Sequence, residues 1–333
     1  MKKINLAIVG ATGMVGRTFI KVLQERNFNI DNLYLFSSSK SAGTKIKFYD
    51  KEYIVEELKE DSFTNRNIQI ALFSAGGSTS EKYAPIAAEN GALVIDNSSQ
   101  WRMDENVPLV VPEVNPEDIK KHKGIIANPN CSTIQAMVAL KPLDNKYKIK
   151  RIVYSTYQAV SGSGVKGVED LEKGIEGNPT GFYPHPISYN CLPHIDIFLD
   201  NGYTKEEMKM VNETRKILNN YDLKITATTV RVPVKNGHSE SINVEFENNF
   251  DLDELKDTLC NFPGLIVIDN PSNNEYPTAF EIADTDEVYV GRIRRDFSID
   301  NGVNLWVVAD NIRKGAATNA VQIAEKAIEY NII

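Results

Sequence analysis

Ile4-Asn5-Leu6-Ala7-Ile8-Val9-Gly10-Ala11-Thr12-Gly13-Met14-Val15-Gly16 begins as a short β-type run and passes directly into a glycine turn. Phe19, Ile20, Val22 and Leu23 then recur at helical spacing, so the order is strand, glycine turn, helix. Glycines at 10, 13 and 16 let the backbone turn tightly and approach a pyrophosphate, whose charge is met by the helix N-terminus. The spacing is GxxGxxG, one residue off the GxGxxG form, and a plain packing turn would use the same residues. Outward from this stretch, Leu33 to Phe36, Ile68 to Phe73 and Ala92 to Ile95 read as strands, and Ser80 to Ala88 as a helix ending at Asn90-Gly91. Strands alternating with helices predict an α/β class with a Rossmann-type parallel sheet.

The second strand ends in Ser37-Ser38-Ser39-Lys40-Ser41. An NAD-binding fold usually places an Asp or Glu there to grip the ribose 2′-hydroxyl, and none is present. Hydroxyls with Lys40 suit a 2′-phosphate, so the expected cofactor is NADP; a solvated polar turn is the alternative. Ser74 to Ser78 follow the third of these strands and could line the cofactor. Arg102 lies in the loop after Ala92 to Ile95, beyond the carboxyl end of a sheet strand, where open α/β folds bind ligands. Its forked guanidinium suits a phosphate, and it is also what a surface arginine without a role would look like.

Asn128-Pro129-Asn130-Cys131-Ser132-Thr133 stands between the apolar run Gly124 to Ala127 and a helix-like run from Ile134 to Leu140. Pro129 discourages helix before it and Ser132 and Thr133 suit a first turn, so Cys131 is expected at or near a helix N-terminus. There the unpaired N–H groups and the positive end of the helix dipole stabilise a thiolate. A small buried cysteine packing a turn fits the same stretch.

At 333 residues the chain suits two domains, each able to bury a core without staples. The formal charge of −8 argues against a general affinity for nucleic acid or anionic membranes. The cysteines, 131, 191 and 260, share no CxxC spacing and leave an odd one over, which disfavours a disulfide framework or a zinc site and predicts no metal. A reducing cytoplasm is the expected location. The run after Met1-Lys2-Lys3 is shorter than a secretory core, and no run approaches the roughly 20 apolar residues of a membrane span.

In the second half, Lys150 to Gln158 reads as a strand leading to the small-residue loop Ala159 to Gly164. A helix runs from Glu206 to Leu218, with Glu206 and Lys209 as i, i+3 neighbours, an arrangement an exposed ion pair would also show. Ile225 to Val232 and Ser239 to Phe246 are strands joined by Pro233 to Gly237, in which Asn236-Gly237 is a strong turn signal. By parity His238 shares a face with Ile242, Val244 and Phe246, and Arg231 with Ile225, Ala227 and Thr229. A core histidine is one reading of that face; an imidazole able to exchange protons near neutral pH is the other. Residues 169 to 183 read as a loop. Val288 to Arg292 and Leu305 to Ala309 are strands, and a helix from Lys314 to Tyr330 is expected to pack back on the first domain. The domains are therefore drawn as 1–130 with 312–333, and 131–311 as an α+β catalytic and dimerisation domain.

The motifs GATGMVG, SSQWRMDENVPLVVPEVN, NPNCSTIQ, YQAVSGSG, YNCLPHID, EEMKMVNETRKIL, RVPVKNGHSESINVEF and VADNIRKGAATN occur in that order. Together they resemble the aspartate-β-semialdehyde dehydrogenase family along nearly the whole chain. The resemblance implies an NADPH-dependent oxidoreductase that converts L-aspartyl-4-phosphate to L-aspartate 4-semialdehyde through a cysteine thioester, on the route to lysine, diaminopimelate, methionine and threonine. It implies Cys131 as nucleophile, His238 as general acid/base, Asn130 at the developing oxyanion and Gln158 orienting the acyl group. Arg102 with Lys209 would bind phosphate, Arg231 the α-carboxylate and Glu206 the amino group. Gly10, Thr12, Gly13, Met14, Val15, Ser38, Lys40, Ser41, Ser161, Gly162 and Asn311 would line the NADP site. Lys40 stands where the family pattern suggests Arg, keeping the charge and losing the fork. The resemblance also implies a homodimer or homotetramer. The nearest rival is N-acetyl-γ-glutamyl-phosphate reductase, whose acylated amine carries no charge for Glu206 to meet. A non-catalytic NADP-binding redox sensor is a rival of another class.

Overall fold

Ile4–Val9 (β1) is buried at every position but Asn5, as a strand with neighbours on both sides and helices on both faces must be. The chain is described here from a computed structural model over residues 3–333. It divides into two units: the described residues up to Pro129 together with Ala316–Ile333, and Asn130–Gly315. The sequence reading had drawn these breaks after 130 and after 311.

In the first unit β1 leads to helix Met14–Glu25 (α1) and strand Ile30–Ser37 (β2). Lys45–Phe48 (β3) and Lys51–Ile54 (β4) pair with each other as a separate antiparallel ribbon. Glu56–Glu57 (β5), Ile70–Phe73 (β6), helix Gly77–Glu89 (α2), Leu93–Asp96 (β7) and Ile125–Ala127 (β8) complete the alternation. Among the described residues the sheet order is β5-β2-β1-β6-β7-β8, and every pairing is parallel. The chain runs from β1 outward to β2, then returns past β1 to β6, which makes the carboxyl ends of β1 and β6 the switch point where open α/β sheets form a crevice. The C-terminal helix Asn319–Glu329 contributes Ala320, Val321, Ile323, Ala324 and Ala327 to the core that holds Ile4, Leu6 and Ile8. Arg26, at the C-cap of α1, grips Glu325 of that helix with two bonds of 2.8 and 2.7 Å.

The second unit opens with helix Cys131–Tyr147 (α3) and strand Ile149–Gln158 (β9). Helices Val165–Ile175 (α4) and Lys205–Leu218 (α5) follow, then strands Lys224–Arg231 (β10) and His238–Phe246 (β11). Helix Leu252–Cys260 (α6), strand Leu265–Val267 (β12), the short helix Ala279–Ile282 (α7) and strands Val288–Asp296 (β13) and Gly302–Ala309 (β14) finish it. The mixed sheet runs β10-β9-β11-β14-β13-β12. Alternate positions of β11 are buried, His238, Glu240, Ile242, Val244 and Phe246 among them, and α3 packs against β9, β11 and β14.

The strands joined through Asn236-Gly237 do not pair with each other: β9 lies between β10 and β11, parallel to the first and antiparallel to the second. Two expectations are corrected here. Residues 169–175 belong to α4, whose Leu171 packs with Val160, Ile187 and Leu192; Gly167 and Gly174, needed for close approach to Val160 and Ser188, dilute the helical signal. The helix expected from Lys314 starts instead as a π-helical stretch, Arg313–Thr318, before regular α-helix begins at Asn319. Such wide turns are uncommon and occur mostly at functional sites.

Candidate active site

The glycine turn of the first unit makes a cradle that only glycine can make. Gly10 has φ +89°, and a Cβ on it would strike the carbonyl of Ser74 at the end of β6. A Cβ on Gly16 would strike the carbonyl of Gly10, so α1 lies directly on the loop. Gly13 is the N-cap of α1 and has no side chain with which to cap it, which leaves the first N–H groups of the helix to an anion. Thr12 Oγ1 bonds Ser37 Oγ at 2.8 Å and ties this loop to the end of β2. A cavity of about 400 Å³ lies here, lined by Gly10, Thr12, Gly13, Ser38 and Ser41 together with Glu57 and Tyr83. Met14 and Val15 form the first turn of α1 beside it, and Lys40 stands exposed in a short 3-10 turn, Ser39–Ser41. The residues present fit the pyrophosphate and ribose of a dinucleotide.

Arg102 is buried in the first unit. Its Nε donates to the carbonyl of Asn128 and a terminal nitrogen to that of Asn97, each at 3.0 Å, with Asp96 close by. Its fork is therefore fixed in direction by backbone oxygens.

In the second unit the strand ends and two helix N-termini assemble the remaining residues. Asn130 is the N-cap of α3, with Oδ1 accepting from the N–H groups of Ser132 (3.0 Å) and Thr133 (3.3 Å). The cap places Cys131 at the first position of the helix, half-buried and outside any disulfide. A Cβ on Gly315 would stand 2.8 Å from Cys131 Cβ, so backbone from the widened turn lies against the cysteine. The N–H of Asn130 donates to Glu213 Oε2 at 2.6 Å and its Nδ2 to Glu206 Oε1 at 2.9 Å. Asn130 thus spends its side chain on the cap and on Glu206.

Glu206 lies in the first turn of α5, which Thr204 and Glu207 start with a reciprocal capping box. Its Oε1 also accepts from Gln158 Nε2 at 3.1 Å, and its Oε2 meets Lys209 Nζ at 2.9 Å. Burial alone would raise this carboxyl, but the Lys209 ammonium and the donors from Lys209, Gln158 and Asn130 outweigh it and hold the pKa at about 2. Lys209 is itself bonded to Asp196 at 2.8 Å; burial would lower its pKa, and the two carboxylates raise it instead.

Gln158 and Arg231 are register partners at the ends of β9 and β10. A terminal nitrogen of Arg231 donates to the carbonyl of Ala159 at 2.7 Å, and the N–H of the same Ala159 donates to His238 Nδ1 at 3.0 Å. That bond fixes the tautomer: Nδ1 is an acceptor, so the neutral ring carries its hydrogen on Nε2. Burial, then the Arg231 charge, push the His238 pKa down to about 3. Gly162 covers the ring, and a Cβ there would lie 3.0 Å from Arg231 and 3.4 Å from His238 Nε2. Ser161 and Asn311 bond each other at 3.0 Å, and Asn311 also accepts from the N–H of Gly237 at 2.9 Å, next to His238.

Comparison with known proteins matches both units to one family. The family model for the semialdehyde dehydrogenase NAD binding domain matches residues 5–122, and that for the semialdehyde dehydrogenase dimerisation domain matches residues 140–314. The aspartate-semialdehyde dehydrogenase of Aquifex aeolicus is 59% identical over 339 residues, covering 99% of each chain. The chain belongs to the aspartate-semialdehyde dehydrogenase family. It is accordingly an oxidoreductase. A crystal structure of aspartate semialdehyde dehydrogenase II from Vibrio cholerae, complexed with ASA, superposes with a TM-score of 0.95 at 48% identity over 99% of both chains. The aspartate semialdehyde dehydrogenase of Candida albicans with NADP superposes at 0.80 with 26% identity over the whole of both chains.

Within the second unit, then, Asn130, Gln158, Glu206 and Lys209 form one bonded network, while Arg231 and His238 share Ala159. Reading the sequence missed Asp196, Glu213, Gly315 and the two backbone groups of Ala159. Asp196 sits in a loop 13 residues before Lys209, and the Ala159 groups belong to the main chain, so neither left a side-chain pattern to find. Among the described residues no group of three or more His, Cys, Asp or Glu could hold a metal, and no helix is long and apolar enough to cross a membrane.

Proposed function

We propose that this dehydrogenase reduces L-aspartyl-4-phosphate to L-aspartate 4-semialdehyde with NADPH through a thioester on Cys131, in the cytoplasmic biosynthesis of lysine, methionine and threonine. The observation that carries the reading is the helix N-terminus bearing Cys131, joined through Asn130 to Glu206, Gln158 and Lys209. Cys131 thiolate attacks the acyl carbon and inorganic phosphate leaves. NADPH, when bound, supplies a hydride. Hydride addition to a thioester leaves an oxyanion, and its collapse to the aldehyde returns an electron pair to sulfur as thiolate. No proton need move in that step, which suits a His238 held neutral with its Nε2–H left without a partner: it donates to the oxygen as charge develops.

The charged residues divide one polar substrate between them. Glu206, ionised well below neutral pH, matches the α-ammonium, and Arg231 the α-carboxylate. Arg102 and Lys209 match the phosphate, Lys209 turning to it from Asp196. The turn at Ser37 to Ser41 with Lys40 matches the 2′-phosphate of NADP. A dimer formed through the second unit belongs to the same reading, as does a tetramer built from two such dimers. The matched domain is named for dimerisation, and a cavity of about 990 Å³ on that unit is lined by Tyr276, Leu305, Trp306 and a 92% exposed Phe280. The test is phosphate-dependent oxidation of aspartate semialdehyde with reduction of NADP. Turnover is expected, and a folded sample that gives none, or that prefers the acetylated glutamate analogue, would overturn the reading.

A further inference from the structure

Glu240 is fully buried on the face of β11 that also carries His238, and neither of its carboxyl oxygens has a hydrogen-bond partner among the described residues. Two further buried polar atoms in α3 share that condition, Ser132 Oγ and Gln135 Oε1. Ser132 and Gln135 are i and i+3 on the first turns of α3, hence on one face. Gln135 Nε2 donates to the carbonyls of His238 (3.3 Å) and Val307 (3.4 Å), and Val307 is the residue directly opposite Glu240 in the sheet. The amide is thereby oriented and its Oε1 is left needing a donor.

Counting donors decides the state of the acid. With Glu240 ionised, the Ser132 hydroxyl is one donor to be shared among three unpartnered acceptor oxygens. With Glu240 protonated there are two donors, and a chain through Ser132 Oγ to Gln135 Oε1 leaves only one carboxyl oxygen over. Among the described residues only burial and Ser132 act on the Glu240 carboxyl. On its own strand the neighbour is His238; from β9 come Thr156, which donates to Gln158, and Tyr154, which is bonded to Thr214; from β14 comes Val307. On α5, Glu206 and Glu213 are turned to Asn130. Burial is the chief cause acting on Glu240 and raises its pKa well above the usual carboxylate range, against a smaller lowering by Ser132.

We propose that Glu240 is a positioning residue that works as a neutral acid: sharing its proton with Ser132 and Gln135, it seats the first turn of α3 on β11 and aims Cys131 without setting a negative charge behind it. This rests on reading Cys131 as the nucleophile, but two of the three tests below need no turnover.

Infrared spectra of the protein carrying ¹³C-labelled glutamate are expected to show a protonated-carboxyl band at neutral pH that is absent from Glu240→Gln; no labelled band, or one that survives the substitution, overturns the proposal. Iodoacetamide alkylation of Cys131 at pH 7 is expected to change less than about twofold in Glu240→Gln. Acceleration of about tenfold, as when a nearby like charge is removed, would mean the carboxylate was ionised and the proposal wrong. In turnover, Glu240→Leu, which has no proton to share, is expected to lose about tenfold in kcat with KM little changed, and Gln, which restores a donor, to recover most of it. Equal losses in Leu and Gln would reduce Glu240 to packing. If Cys131→Ser stays active, the nucleophile assignment fails while the infrared and donor results stand on their own.

Discussion

A single nitrogen decides how His238 can act. With Nδ1 taken by the N–H of Ala159 and the ring neutral down to about pH 3, the imidazole offers a hydrogen bond and is poorly placed to shuttle protons near neutrality. The kcat profile between pH 5 and 8 is therefore expected to contain no ionisation of His238. Replacing it with Asn should lower kcat about 10²-fold, the usual cost of one donor to an oxyanion, and leave the shape of the profile unchanged. An inflection near pH 6.5 that vanishes in the variant would return the proton-shuttling role to it. Cys131→Ser is expected to abolish turnover with the circular dichroism spectrum intact, and retained activity would remove the covalent step. At this scale the sequence was readable where partners lie on one element: Glu206 and Lys209 were paired by helical spacing, and parity put His238 on a buried face. It was silent on Asp196 and on the tautomer, because a loop carboxylate and a main-chain N–H leave no periodic trace. Parity likewise puts Glu240 on that face and says nothing of the unpartnered oxygens it meets there.

Elements were legible in proportion to how local their causes are. The glycine turn after β1 and the N-cap before α3 are written in a few consecutive residues, and both are found where those residues stand. Strand order is not local. Asn236-Gly237 turns the chain as its residue types require, yet β9 occupies the place beside β11 that a hairpin partner would take. The π-helical stretch was equally invisible, since Gly315 is needed by the approach to Cys131 and not by the helix itself. A test belongs to the glycine turn. In Gly16→Ala the added methyl meets the carbonyl of Gly10 and lifts α1 from the loop, so NADP affinity by calorimetry is expected to fall at least tenfold while aspartate semialdehyde still protects Cys131 from alkylation. Undiminished NADP affinity would show that the close approach is not what forms the cradle.

For the molecule as a whole, buried ionisable groups set how stability varies with acidity. Glu206 has its pKa depressed to about 2 in the folded state, so below its ordinary value the unfolded chain binds a proton that the folded chain refuses. Its contribution is present above about pH 4.5 and is lost as pH falls toward 2, an amount on the order of 3 kcal/mol. His238, also depressed, acts in the same direction between about pH 6.5 and 3. Urea midpoints of Glu206→Gln should therefore lie below those of the wild type at pH 7 and converge with them near pH 2; a constant gap would show that the substitution acts through packing instead. The α/β class could be read from alternating strands and helices, and the two-part organisation from a length of 333 residues. Which surface of the second unit meets another copy could not, because exposed aromatic residues carry no period.

The core that surrounds Ile4, Leu6 and Ile8 is closed by Ala320, Val321 and Ala324. Synthesis runs from the first residue to the last, so the nucleotide-binding half cannot finish folding when its own strands emerge from the ribosome. It must wait, with β1 exposed on the side the final helix will cover, until the whole intervening unit has been made. The half built first is thus the half completed last, and emergence of Asn319–Glu329 is the event that seals it.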